Sequence, residues 1–334
     1  MTELIILDVG HGNCSLLRSD GETAVIDAPT GSLLLDTLRD LGITTVDAAF
    51  VSHADKDHLA GITAILASRD VVVRTVFLNP DAQRRSKLWE SFRSAVTLAE
   101  RQGTCVVSTS LSTTSPGEVR IGSATVRVVA PSAALALTGV GGRTPNDRLV
   151  TANSLSAVLS IRVGSDPSVL LTGDMDDVGL DDALSHGAVF AANVLVFPHH
   201  GGSPGGDPVG FTQRLLDSVR PHSVYFSNGR GRYENPQPLI VATAVSQGCA
   251  IACTQLAHAC SDTSLESEHL EAIRSHGRAH GRACAGSMTL ALVGGAQRSS
   301  RSAENAHATF VGRVVPTPMC RNQNVPLVHA ATAI

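Results

Sequence analysis

Apolar and polar positions alternate along the chain in short blocks that predict strands and helices in turn. Residues 4–9, Leu-Ile-Ile-Leu-Asp-Val, form an apolar run ending in Gly10-His11-Gly12, which reads as a buried strand entering a tight turn. Cys14–Leu17 and Thr23–Ile26 read as the next two strands, separated by Ser19-Asp20-Gly21. Gly31–Leu41 has helical spacing, and Asp47–Ser52 is again a buried strand. His53–His58 then reads as a loop leading to a helix over Leu59–Ala67. A strand at Thr75–Leu78 and a long helix over Ser86–Gln102 follow. Short strands are predicted at Cys105–Ser110, Glu118–Ile121 and Thr125–Val129, and the Gly- and Thr-rich stretch 138–147 reads as a surface loop. The pattern resumes with strands at Leu155–Val163, Ser168–Thr172, Val194–Phe197 and Ser223–Ser227 and helices at Gly179–His186 and Val209–Val219.

Strands bracketing helices in both halves predict an α/β (α+β) fold, a four-layer αββα sandwich with its catalytic loops along one edge of two sheets. The expected domain spans 1–295, with 250–295 rich in Cys and His. The stretch 296–334 turns polar and Pro-interrupted, and reads as a poorly ordered or regulatory tail.

Composition narrows the classes. The chain has 334 residues, 43% of them hydrophobic and 17% charged, the composition of a globular protein. A formal charge of −4 gives no global attraction for a polyanion, so nucleic acid would have to be held locally. No apolar run is long enough to span a bilayer and no signal-like N-terminus is evident, so a cytoplasmic protein without a membrane partner is expected. The seven cysteines then read as free thiols or metal ligands.

Four polar clusters each follow an apolar strand: His53-x-Asp55-x-Asp57-His58, Asn153, Gly173-Asp174 and His199-His200-Gly201-Gly202. One His or Asp after a strand is usually a cap or turn residue. Two imidazoles and two carboxylates within six residues, joined by a further carboxylate and a His pair, are the donors of a two-metal centre.

These motifs, in this order, resemble those of the metallo-β-lactamase fold, and within it the ComEC-type branch of DNA-uptake proteins and related soluble phosphoesterases. The likeness lies in Asp8-Val9-Gly10-His11-Gly12-Asn13, in Val25-Ile26-Asp27, in Ser52 to Gly61, in Leu170 to Asp174 and in Phe197 to Ser203. It covers about residues 1–255. The resemblance implies that His53 and Asp55 bind one metal and Asp57 and His58 the other, with Asp174 bridging and His200 completing the second site. It places Asn153, Arg230, Arg232, Tyr233 and Asn235 around the substrate, and His199 beside the metals. His11 stands where the branch has Gln, and Asn235 where it has His.

The implied function is a metal-dependent phosphodiesterase, a nuclease cleaving DNA or RNA with two cations about 3.5–4 Å apart that activate a bridging hydroxide. Asp57 would accept the proton of the attacking water, and His199 would serve the leaving group. Zinc is the expected metal, with manganese allowed by the carboxylate-rich ligands. Alternatives are a small-molecule phosphodiesterase, acting on a phosphocholine ester or cyclic nucleotide, or a weakened metal-bound interaction module. A regulatory protein partner is a further expectation. Cys253, Cys260 and Cys284, among His258, His269, His276 and His280, could form a structural metal site, although buried free thiols explain them equally well.

Overall fold

The computed structural model describes residues 1–81, 83–231, 233–293 and 297–321. Two sheets face each other. The first has eight strands in the order Gln297–Arg298, Met288–Ala291, Thr2–Ile6, Ser15–Ser19, Glu22–Ile26, Ala48–Val51, Thr75–Leu78 and Val106–Ser108. The second has seven: Ala250–Cys253, Ser223–Phe226, Val194–Val196, Asp166–Leu171, Val158–Val163, Ala124–Ala130 and Glu118–Ile121.

Period-two alternation explains the layering. On the opening strand Leu4 and Ile6 join a core with Phe50, Val126, Leu159 and Val196, between the sheets. Ile5 instead joins Leu16, Val25 and the helix residues Leu38, Leu59 and Phe92 on the outer face. The second sheet is covered in the same way by Phe211 and Leu215 of helix Pro208–Val219 and by Ile240 of helix Pro238–Ser246. The αββα sandwich is therefore present.

Parallel pairing then sets the functional edge. Ile26 pairs with Phe50 in the first sheet, and Leu171 with Val196 and Val196 with Tyr225 in the second. The residues that follow these positions leave both sheets on the same side.

Several elements differ from expectation. The opening strand ends at Ile6, because Asp8 leaves the ladder and accepts hydrogen bonds from Ser275, Gln255 and the Gly277 N–H. The helix expected from Leu59 begins at Lys56, so Asp57 and His58 lie on its first turn. Helices Ala133–Thr138 and Pro238–Ser246 and strand Met288–Ala291 were not foreseen. Within the stretch expected to be a poorly ordered or regulatory tail, Arg301–Arg313 is a helix, with Phe310 and Val311 in the core beside the second sheet. Residues 322–334 of that stretch lie outside the described residues. Among the described residues no helix is long and apolar enough to cross a membrane.

Candidate metal centre

The strand ends bring five histidines and three aspartates together at the sheet edge. Asp174 is the hub: its carboxylate lies 3.9 Å from His53 Nε2, 3.4 Å from His58 Nε2, 3.6 Å from His199 Nδ1 and 3.8 Å from His200 Nε2. Asp57 Oδ2 stands 3.0 Å from His11 Nε2 and 3.6 Å from His200 Nε2. Two groups have ligand atoms mutually within 4.8 Å: His53, His58 and Asp174, and His11, Asp57 and His200.

Hydrogen bonds behind these side chains fix which nitrogen faces the centre. His58 Nδ1 donates to Asp27 Oδ2 at 2.8 Å, leaving the Nε2 lone pair forward. His200 Nδ1 donates to the Ser227 carbonyl at 2.8 Å with the same result. The Ser52 hydroxyl gives its proton to Asp27, so towards His53 Nδ1, 3.1 Å away, it can only accept. Ser156 receives the Asp174 N–H at 2.9 Å and lies 3.4 Å from His53 Nδ1, tying the two halves of the centre together.

The backbone is bent to make this possible. His199 and His200 both adopt left-handed φ, 53° and 57°, a conformation that costs a non-glycine residue about 1–3 kcal/mol. At Gly201, φ 84°, a Cβ would lie 2.3 Å from Pro236. At Gly12 a Cβ would meet Pro29 at 2.6 Å and the Asp57 carbonyl at 2.8 Å, so glycine there lets the loop carrying His11 close onto the helix start.

The donor set fits cations. His53 Nε2, His58 Nε2, His199 Nε2, His200 Nε2 and Asp174 Oδ1 are buried without a hydrogen-bond partner. Such orphans are costly in a protein interior, and the Nε2 atoms of His53, His58 and His200, gathered around Asp174, call for a ligand that accepts lone pairs. The electrostatics agree. Burial opposes charge on His58, yet Asp174 and Asp27 outweigh it and raise its pKa well above the usual imidazole value. Burial likewise opposes charge on Asp174 and Asp57, but the surrounding imidazoles hold both carboxyls well below the ordinary range. The carboxylates thus demand positive charge here, which protons or metal ions can meet. His199 is different: burial lowers its pKa, more than Asp174 raises it.

Of the residues singled out in the sequence, His53, Asp55, Asp57, His58, Asp174, His199 and His200 converge here. Asp55 is shared, with Oδ2 3.5 Å from His53 Nε2 and Oδ1 bonded to Arg84, which also holds Asp81. Asn153 sits on the turn before Val158–Val163, where its carbonyl accepts from Ser156 N. A cavity of about 1050 Å³ opens over the centre, lined by Tyr233, Glu234, Asn235, His258 and Asp262 among others. Asn235 donates to the His199 carbonyl at 3.2 Å, bracing the His-His turn. Arg230 points elsewhere, its guanidinium donating to the Ser261 and Thr263 carbonyls, and Arg232 lies outside the described residues.

Sequence reasoning missed His11 as a donor, the supporting Asp27, Ser52 and Ser156, and the cleft position of His258. A histidine between two glycines after a buried strand was the available signal for the first. Asp27 and Ser52 lie within motifs that carry the resemblance, while nothing in the spacing marked Ser156 or the cleft position of His258.

A sequence profile of the metallo-beta-lactamase superfamily matches residues 7–179. No curated protein matches the chain. Similar solved structures include a metallo-beta-lactamase fold protein from Bacillus subtilis, 12% identical with a TM-score of 0.47, spanning 75% of this chain and 96% of that one. A metallo hydrolase from the hyperthermophilic archaeon Ignicoccus hospitalis is 14% identical, TM-score 0.44, over 75% of this chain and 95% of its own. The short form of human tRNase Z is 13% identical, TM-score 0.38, over 69% of this chain and 93% of its own.

Proposed function

This chain belongs to the metallo-β-lactamase superfamily of metal-dependent hydrolases, and from that premise we propose that it is a phosphodiesterase of the ComEC-type branch, acting on nucleic acid. The observation that carries the reading is the donor set, in which three aspartates stand among the imidazoles and Asp55 occupies a place where most of the superfamily has His. Hard carboxylates suit a centre that handles phosphoryl oxygens, with zinc or manganese as the ions.

His53, His58 and Asp174 would hold one ion, with Asp55 at its edge, and His11, Asp57 and His200 the other, Asp174 facing both. This pairs His58 with His53, unlike the pairing the resemblance implies. Divalent ions bound there supply positive charge for the attacked phosphoryl group and lower the pKa of water. The chain's own groups do the rest. Asp57, whose Oδ2 lies against His11 and His200, would accept the proton of the attacking water. His199, braced through its carbonyl by Asn235, would serve the leaving group. Tyr233, half exposed on the cleft wall, packs its ring against His11, the centroids 4.7 Å apart.

Glu234 and Asp262 favour a second reading, because acidic walls repel a polyanion but welcome a small phosphodiester with a cationic end, such as a phosphocholine ester. The test is hydrolysis of single-stranded, linear and circular nucleic acid with Zn²⁺ or Mn²⁺, run beside a phosphocholine ester. Polynucleotide cleavage lost in Asp57→Ala and His58→Ala supports the first reading. Cleavage of the small ester alone supports the second, and no hydrolysis of either removes the phosphodiesterase assignment.

A further inference from the structure

A second set of metal-binding side chains lies away from the catalytic edge. Cys253 ends the last strand of the second sheet, and Cys284 comes beside it through the bonds Cys284 N to Thr254 O and Ala285 N to Cys253 O, 3.0 and 2.8 Å. Cys260 is tied to the C-terminal segment by Thr317, whose N–H and hydroxyl both donate to its carbonyl. Cys320 follows on the turn Met319–Arg321. The four thiols, separated by up to 67 positions in the sequence (320 − 253), line one apolar void together with His307, whose Nε2 lies 3.4 Å from Cys284 Sγ. All four are unpaired. The void measures about 20 Å³, room for a single water-sized occupant, and among the described residues the polar side chains lining it are the thiols, His307 and Gln255.

We propose that Cys253, Cys260, Cys284 and Cys320 bind one thiophilic divalent ion of the zinc class as a structural site, with His307 donating a hydrogen bond to the Cys284 sulfur. Cys₄ donor sets are the usual choice of structural zinc, and binding releases the thiol protons to solvent. Among the described residues only the two catalytic groups already have three ligand atoms within 4.8 Å of one another. Binding would therefore require the sulfurs, which line the void, to draw inward onto the ion.

Such a site has a mechanical use. The regular structure of the long stretch 254–287 is one 3-10 turn, Arg278–His280, and a segment of that length is rarely ordered without a staple. The same stretch supplies His258 and Asp262 to the cleft wall. An ion held between Cys260, Cys284 and Cys320 pins that wall to the C-terminal helix.

The proposal does not depend on the reaction catalysed and is tested without measuring it. Full-length protein, reduced and stripped of metal, is reloaded with Co²⁺ and scanned for thiolate-to-cobalt charge-transfer absorption, which histidine and carboxylate ligands do not produce. Wild-type protein should show the band. Cys320→Ala, at a half-buried position that tolerates the change, should lose it together with one metal equivalent, as should Cys284→Ser where that variant folds. His58→Ala should keep it. Absence of the band in reduced wild-type protein, its persistence at full strength in Cys320→Ala, or a disulfide among the four found by intact mass would overturn the proposal. The first of these would leave the thiols as packing groups of the core.

Discussion

Replacing Asp27 with asparagine exchanges one oxygen for an NH₂ behind the metal centre and leaves shape and backbone preference nearly intact. Asp27 is 2% exposed and adopts φ 55°, a conformation asparagine tolerates well. Its Oδ1 accepts the Ser52 N–H at 2.7 Å, a bond the asparagine carbonyl can keep. Its Oδ2 accepts from both the Ser52 hydroxyl and His58 Nδ1, at 2.7 and 2.8 Å. An NH₂ in that place confronts two donors. The serine hydroxyl can rotate, but the imidazole must give up its Nδ1 proton and carry it on Nε2, directed at Asp174. That removes the lone pair with which His58 would bind a metal. Disturbing such a supporting carboxylate weakens metal binding about 10- to 100-fold, or roughly 1.4 to 2.7 kcal/mol. Competition against a chromogenic chelator reads the affinity, and thermal unfolding of the metal-free protein reports whether the fold is intact. A variant that folds normally and binds metal as tightly as wild type would refute the tautomer argument.

Three further outcomes follow from the geometry. His11→Ala should weaken one of the two ions by about 10-fold or more while sparing the other; titration calorimetry resolves the two, and unchanged isotherms would remove His11 from the donor set. Gly61→Ala places a Cβ 2.5 Å from Ala28 Cβ and 2.8 Å from the Pro29 carbonyl, where helix Lys56–Ala67 meets the end of strand Glu22–Ile26. Overpacking of that kind costs about 1–3 kcal/mol, visible as a lower urea midpoint with an unchanged slope. Chelation should lower the unfolding temperature, since an ion present at a hundred times its dissociation constant stabilises by about 2.7 kcal/mol; a Tm indifferent to chelator contradicts a site organised by metal.

The legible parts of the fold were those with a clean period. The strands around Phe50, Leu159 and Val196 alternate or run apolar between turn signals, and the donors that follow them were visible as polar clusters at strand ends. Helix Pro238–Ser246 is apolar on every face and rich in β-branched residues, so it has no helical stripe to detect. Helix Arg301–Arg313 has the opposite difficulty, its stripe reduced to His307, Phe310 and Val311 in an otherwise polar segment. Strand Met288–Ala291 pairs with the opening strand across most of the chain, a contact that local pattern cannot reveal. The same limit applies within the site. Asp27 and Ser156 act on His58 and His53 from 31 and 103 positions away, so their roles exist only once the sheets are assembled. The resemblance placed Arg230 around the substrate, whereas the fold turns its guanidinium to two backbone carbonyls.

The central claim, that this sheet edge is a two-metal phosphodiesterase centre, is tested most directly by titrating Zn²⁺ or Mn²⁺ into metal-free protein while following hydrolysis of a phosphodiester. The account predicts no hydrolysis without metal, full activity when both positions at the edge are filled, and none at any metal concentration in Asp174→Ala. Hydrolysis that persists without metal, or in Asp174→Ala, would contradict it.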